Sequence, residues 1–310
     1  MTALETLQTF DEGNLPDLDT VVLGALEFFA ETPVPRLETD SLRRPLVVGS
    51  GNAAVVGKVL FGGTRAVFAD ESTFEYMLSV YDDIDGVVVI SASGSKHAID
   101  IVKEAAGQSV PTFLITTNPV APAAEYLKEG HVQIFPKTRE PYTYNTSTYL
   151  GMLLSQTGED AGAIVAFIEK EVAPVIPDTF SNFDAFFLLV PPEFNALREM
   201  FTTKFDELFG PKVAGRVFTL EQTKHAKTVV HSDSEYFISF GEENTLFGES
   251  DARLTIPLPE KCSAATMMAI GYYVIGRAQK QLPPYFKEHI ESYTKEASEI
   301  FGHAIKPIVE

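Results

Sequence analysis

One residue in 310 is cysteine, and only 24 are lysine or arginine against 43 aspartate or glutamate. The lone thiol, Cys262, has no partner for an internal disulfide and no second thiol for a zinc site. It adjoins an apolar stretch and reads as a buried core residue. The shortage of positive charge leaves a formal net charge of -19. So acidic a chain repels phosphate backbones, which argues against nucleic acid as a partner. If the ligand is itself an anion, the few clustered lysines must serve it. Long hydrophobic runs are also missing: no apolar stretch reaches membrane-spanning length. The opening residues, MTALETLQTFDEGN, have neither the basic start nor the apolar core of an export signal. These absences predict a cytoplasmic protein with no membrane partner.

What is present is ordinary for a globular protein: 45% hydrophobic and 22% charged residues, in a length sufficient for a large core or two medium domains. Residues 17–31 carry apolar positions at helical spacing. A regular alternation follows. PLVVG, RAVFA, DGVVVIS, PTFLITT and HVQIF read as strands. NAAVVGKVLF, STFEYMLSVY, KHAIDIVKEAAG, APAAEYLKEG and TYNTSTYLGMLLSQ read as helices. Strands apolar on both faces and separated by helices predict a parallel sheet covered on both sides. A further helix, DAGAIVAFIEKEV, leads to the proline-bounded PVIPD. The pattern then resumes less regularly, with strands AFFLLV, YFISF and ARLTIPL, a helix over PEFNALREMFTTKFDELFG, and a long apolar helix in EKCSAATMMAIGYYVIGRAQKQ. The expected fold class is α/β: two subdomains, each a parallel sheet flanked by helices, with a C-terminal helical tail after Pro283-Pro284. The expected division is an N-terminal helical segment over 1–38, a first subdomain over 39–173 and a second over 174–310.

Two turns in the first subdomain carry chemistry. After the first strand, Gly49-x-Gly51-x-x-Ala54 opens a helix, and Asp70 stands 19 residues beyond Gly51. That spacing suits a dinucleotide fingerprint, and equally any α/β protein whose first strand ends at a phosphate site. The third strand runs into Ser91-Ala92-Ser93-Gly94-Ser95-Lys96. Its three hydroxyls, a glycine for close approach, a helix N-terminus and a lysine together make an anion site. One serine would be enough for a helix cap.

DGVVVISASGSKHAIDIVKEA resembles the signature of the SIS (sugar isomerase) domain family, in which a Ser-x-Ser-Gly-x-Thr loop holds a sugar phosphate. VVGSGNAAVVGKVL resembles the family's first glycine-rich turn. PTFLITTNPVAPAAEYL resembles its next strand, Thr-Asn loop and helix, and REPYTYNTSTYLGMLL its Glu-containing segment. The resemblance spans about residues 44–156. It implies that Gly49, Gly51 and Asn52 serve a sugar phosphate rather than NAD, together with Ser91, Ser93, Gly94, Ser95 and Lys96. Asn52 and Ala53 stand where related isomerases often have Ser or Thr, and Lys96 stands where the signature has Thr.

The second half lacks a Ser-x-Ser-Gly loop, as in double-SIS isomerases, where one half binds phosphate and the other supplies catalytic groups. KFDELFG resembles the Lys-x-x-Glu helix in the isomerase domain of glucosamine-6-phosphate synthase, which puts Lys204 and Glu207 at the matching positions. VFTLEQTKHAKTVV resembles that family's segment with a functional histidine, here His225, and HAIKPIVE resembles its lysine-bearing tail, here Lys306. His231 is a second candidate histidine.

Aldose–ketose interconversion needs these residue types in its own right. A carboxylate such as Glu207 takes a proton from C2 and returns it at C1. A histidine such as His225 shuttles protons during ring opening. A lysine steadies the enolate oxygen. No metal and no organic cofactor are required. Each residue also has a plainer role open to it. Lys204 and Glu207, three apart, suit an exposed ion pair on a helix. His225 with Lys224 and Lys227 suits a solvated face, and Lys306 a free tail. Glu140 either lines the pocket or caps the next helix. Glu221 is expected to orient His225, and the phenylalanines of SNFDAFFLLVPPEF to pack the core.

The expected activity is isomerisation of hexose 6-phosphates of the glucose, mannose and fructose type. GSGNAAVVGKVL has the layout of phosphoglucose/phosphomannose isomerases, whereas KFDE and KPIVE point to the amino-sugar type. An amino-sugar phosphate isomerase or deaminase, or a non-catalytic sugar-phosphate regulator, are the alternatives. Because no glutaminase segment precedes these motifs, a complete glutamine-dependent synthase is not expected. The resemblance further implies a homodimer with shared active sites.

Overall fold

The computed structural model describes residues 1–37, 42–227 and 230–310. The expected boundary between 38 and 39 lies outside them. In chain order, helices α1 (Ala3–Thr9) and α2 (Leu18–Glu31) precede strand β1 (Pro45–Gly49), α3 (Asn52–Phe61), β2 (Val67–Ala69), α4 (Phe74–Val80), β3 (Gly86–Ile90), α5 (His97–Gly107), β4 (Thr112–Thr116) and β5 (Val132–Ile134). Then come the short β6 (Glu140–Pro141), α6 (Thr146–Thr157), α7 (Ala161–Phe167), β7 (Ala185–Val190), α8 (Arg198–Phe209), β8 (Ala214–Thr219), α9 (Leu220–Ala226), β9 (Glu235–Phe240), β10 (Arg253–Ile256), α10 (Ala264–Gln281), α11 (Tyr285–Phe301) and the short β11 (Ile308–Val309). The architecture is the expected α/β fold of helix-flanked parallel sheets with a helical tail. No helix among the described residues is long and apolar enough to cross a membrane.

Two compact units form. One gathers Met1–Glu31, Thr138–Ser147 and Glu159–Glu310; the other gathers Thr32–Lys137 and Thr148–Gly158. This grouping differs from the linear division at 173/174. Helix α2 packs against α1, α7 and α10, so the N-terminal helices and α7 go with the second half of the chain.

The β1–β5 unit has a sheet of order β2-β1-β3-β4-β5, parallel throughout. Every residue of β1 and β3 is buried, so the two central strands are covered on both faces, as their unbroken apolar runs require. Leu46, Val48, Val87, Val89 and Leu114 form one core with Ile101 and Val102 of α5. The expected helix over 121–130 is reduced to one 3-10 turn, Pro122–Tyr126. Its Leu127 amide bonds Ala124, three residues back, and the chain turns extended there.

The β7–β10 unit has a sheet of order β10-β9-β7-β8, also parallel. Numbered by first appearance within each sheet, both share the order 2-1-3-4. In such sheets the connections leave in opposite directions from the first and third strands, and a crevice opens at their carboxyl ends. Phe187 stacks on Phe218 and Phe237, and Phe186 on Phe205, so the phenylalanine-rich stretch is core, as expected. Strand β8 lacks a clean sequence signal: AGRVFT mixes glycine and arginine into a half-exposed strand. Cys262 is not a core residue. It is partly exposed just before α10, and burial together with Glu159 and Glu193 pushes its thiol up to about 12.

Helices α2 and α10 meet at a glycine. A Cβ on Gly276 would lie 2.0 Å from the Asp19 amide nitrogen, against backbone that cannot yield locally. Gly276→Ala is therefore expected to cost about 2 kcal/mol by overpacking, read as a lowered urea midpoint. Gly107→Ala, with nothing within 4 Å of the added methyl, is the control and should be near neutral. Equal midpoints for the two variants would contradict the close crossing.

Candidate active site

In the β1–β5 unit the crevice lies between β1 and β3, whose last residues, Gly49 and Ile90, are paired in register. The glycine turn and the serine loop leave from these adjacent strand ends, so the structure brings together the residues singled out for phosphate. Gly49 is required by packing: a Cβ there would stand 2.7 Å from the backbone of Ala53 and Ala54. Gly51, at φ 54°, has nothing within 4 Å of an added Cβ, so the turn is open above it. Asn52 is 8% exposed, and its Oδ1 has no hydrogen-bond partner among the described residues.

The serines do not cap α5. The N-cap position falls to Lys96, without a side-chain cap bond among the described residues; the Ala98 and Ile99 amides are taken by the Ser95 and Lys96 carbonyls, and the positive end of the helix dipole is left without a side-chain acceptor. Ser91 Oγ accepts from the Gly94 amide at 3.1 Å, leaving its proton free to donate outward. Ser93 and Ser95 share a hydroxyl–hydroxyl bond of 2.7 Å. Asn118 Nδ2 donates to the Ser93 carbonyl at 2.9 Å, and the Ala123 amide to the Gly94 carbonyl at 2.9 Å, which braces the loop from behind. Gly94 has φ 61°, and a Cβ there would meet that of Ala121 at 2.5 Å. Partial burial lowers the pKa of Lys96. Asp70, the acid of the dinucleotide spacing, is otherwise engaged. Its Oδ1 accepts from the Ser72 amide, the Thr73 amide and the Thr73 hydroxyl at 2.8–3.0 Å, and these bonds hold its carboxyl below the usual range.

In the β7–β10 unit, Lys204 and Glu207 do not form the exposed pair that their spacing on an amphipathic helix suggests. Lys204 is fully buried, whereas the Glu207 side chain keeps 18% of its exposure. Burying an ammonium costs several kcal/mol unless acceptors surround it. Lys204 Nζ donates to Glu207 Oε2 and to the Thr143 carbonyl, and lies 5.5 Å from the centre of the Tyr272 ring. Burial raises the Glu207 carboxyl above its ordinary range, with Lys204 opposing that shift.

Residues not foreseen from the sequence complete this cluster. Thr143 (φ 71°) and Asn145 (φ 49°) adopt left-handed backbone conformations, and Asn145 Nδ2 also bonds the Thr143 carbonyl at 3.0 Å. Left-handed asparagine is common; left-handed threonine is not, and no sequence pattern announces it. Tyr142 and Tyr293 approach at 6.0 Å between ring centres. Burial first, and then the Glu207 charge, raise both phenols, Tyr293 to about 12. Tyr293 comes from the tail helix, which offered only amphipathic spacing.

The remaining candidates stand elsewhere. Lys306 is exposed, but its tail is not free: the Tyr142 amide donates to the Pro307 carbonyl at 2.8 Å, and β11 pairs antiparallel with β6. His225 is exposed on α9, with no hydrogen bond to Lys204 or Glu207 among the described residues. Glu221 pairs with Lys224 at 2.5 Å rather than orienting His225. His231 pairs with Glu249 at 2.6 Å. Glu140 is decided as a cap: its carboxylate accepts from the Thr146 and Ser147 amides and the Ser147 hydroxyl at the start of α6. Among the described residues no group of three or more His, Cys, Asp or Glu side chains is placed to hold a metal ion.

No protein-family model matches the chain, and no curated protein matches it. Solved structures do. The C-terminal domain of glucosamine-fructose-6-phosphate aminotransferase from Francisella tularensis is similar with a TM-score of 0.61 at 12% identity, covering 87% of this chain and 96% of that one. The tagatose-6-phosphate ketose/aldose isomerase from Escherichia coli is similar with a TM-score of 0.55 at 14% identity, covering 85% and 86%. With its strand order, this likeness defines the fold as SIS-type.

Two outcomes follow. Glu207, followed by carboxylate carbon NMR, should titrate above its ordinary value of 4.5. Since its folded pKa is raised, its contribution to stability is full below 4.5 and is lost as pH rises through the raised value. Lys204→Met should move the midpoint further up; an unmoved or lowered midpoint would show the pair uncoupled. Lys96 has φ 52°, so Lys96→Gly should stabilise the β1–β5 unit by about 1 kcal/mol through relieved strain, read as a raised urea midpoint. A loss of stability would contradict that strain.

Proposed function

We propose that this protein is a sugar-phosphate isomerase interconverting aldose and ketose hexose 6-phosphates through an enediol. The observation that carries the reading is Glu207, partly open to solvent while tied to a wholly buried lysine. A carboxylate of raised pKa is a better base near neutral pH than an ordinary one. Lys204 fixes its direction, and the two tyrosines beside it stay neutral donors. The reading gives the phosphate to Ser91, Ser93, Ser95, Lys96 and the amides of the two turns, with Gly49, Gly51, Asn52 and Gly94 shaping them. Glu207 moves the proton between C2 and C1, His225 assists ring opening, and Lys306 steadies the enediolate. The SIS-type fold supports this assignment. A cytoplasmic homodimer with shared active sites is part of the same proposal.

A non-catalytic sugar-phosphate regulator is the second reading. What favours it is that His225 and Lys306 are both exposed and neither is bonded to the Lys204–Glu207 pair among the described residues.

The deciding experiment follows exchange by NMR in heavy water, at the C2 proton of glucose, mannose and glucosamine 6-phosphates and at the C1 protons of fructose 6-phosphate, each supplied separately. Exchange is expected with at least one of the glucose, mannose and fructose 6-phosphates, and its loss in folded Glu207→Gln, whose amide still accepts from Lys204. Exchange with glucosamine 6-phosphate alone would move the assignment to the amino-sugar type. Saturable binding without exchange of any sugar would leave the regulator.

A further inference from the structure

The shared strand order gives the β7–β10 unit a crevice of its own, between β7 and β9. It holds a cavity of about 150 Å³ at the carboxyl ends of these strands. Leu189 and Phe240 are among its apolar lining residues, and Glu221, Glu242 and Glu243 among its polar ones. Apart from Glu221, which pairs with Lys224 instead of orienting His225, none of these residues was given a part in the isomerase reading.

The chemistry here is the reverse of that at the serine loop. Where β3 leads into hydroxyls and an uncapped helix, β7 leads into Pro191 and Pro192, which have no amide proton to give. Helix α9, which follows β8, is closed by a capping box: the Thr219 hydroxyl accepts from the Gln222 amide, and the Gln222 side chain accepts from the Thr219 amide. The Ser239 hydroxyl is within bonding distance of Thr255 Oγ1 at 3.2 Å and the Leu254 carbonyl at 3.4 Å. The Asn244 amide donates to the Phe247 carbonyl. The donors are thus engaged, while carboxylates stand at the rim. Lys224 is paired to Glu221, so Glu242 and Glu243 set the local charge.

We propose that this second crevice is a binding site for a small aliphatic ammonium compound, with the hydrocarbon body on Leu189 and Phe240 and the cationic head against Glu242 and Glu243. The cavity matches a body of four or five carbons; a pocket of roughly this volume holds a benzene-sized guest. Few atoms are buried, so the affinity for a simple probe should be on the order of millimolar. The same carboxylates repel the phosphate of a sugar phosphate, so this cavity is not the proposed phosphate site, and the proposal does not depend on the isomerase reading.

The test uses the full chain with labelled leucine and valine methyl groups, titrated with n-butylammonium, n-butanol and n-butyrate. The expected result is saturable shifts of Leu189, Val190 and Leu220 with the ammonium compound only. Glu242→Gln combined with Glu243→Gln should weaken binding at least tenfold, and Glu243→Lys should abolish it; both positions are exposed, and unchanged methyl signals elsewhere would report an intact fold. Butanol binding as well as the ammonium compound would reduce the cavity to an apolar hole and overturn the proposal. So would binding of butyrate, unaltered binding in the glutamine double variant, or no shift at tens of millimolar probe.

Discussion

Parallel strand pairing is the constraint from which the rest follows. Parallel neighbours cannot be joined by a tight turn; each needs a crossover, and here most crossovers are helical. The helices cover both faces of the sheet, which obliges the central strands to be apolar throughout. They also bring the loops that follow the strands to one edge. With the order 2-1-3-4, one pair of neighbouring strands in each sheet sends its connections to opposite faces, and the loops part there. The serine loop and the acidic cavity occupy corresponding places in two sheets built by one rule. Their difference in chemistry comes from a handful of side chains: serines and a glycine in one, prolines and glutamates in the other.

The strands most legible in the sequence were those this constraint makes apolar on both faces. PLVVG, GVVVI and AFFLLV could be read directly, because nothing but a buried strand uses such short unbroken runs between turns. The serine loop was legible because three hydroxyls exceed what a cap needs. Strand β8 was hidden because half-exposed AGRVFT obeys no clean alternation. The β6–β11 pairing joins segments far apart in the chain, each two residues long, and no local pattern encodes it. Lys204 shows the limit most clearly. Its spacing from Glu207 gives the pair correctly, but burial depends on Thr143 and Tyr272, which are remote in sequence.

That burial organises one whole corner of the β7–β10 unit. A lysine ammonium away from water demands an acceptor, and the Thr143 carbonyl that accepts from it belongs to a residue with left-handed backbone. The Tyr142 amide on one side is tied to the tail, and the Tyr144 hydroxyl on the other accepts from Gln279 and donates to the Pro16 carbonyl. The strained turn is thus fixed at both ends. Glu207 gains a fixed direction because so many groups outside it are already committed.

The turns that open α3 and α5 have nearly the same backbone: Gly51 has φ 54° and ψ -126°, Lys96 φ 52° and ψ -123°. Glycine takes that shape freely and lysine does not. What is common to the two positions is therefore the tilt of a peptide plane, not an amino-acid letter. A scan of residue identities would set Lys96 against the threonine of the signature this loop resembles and see only a missing hydroxyl. A scan of dihedral angles would pair it with Gly51 and find the same device twice, once built cheaply and once against resistance. Distant relatives that have changed their serines should be easier to recognise by that angle than by any consensus of letters.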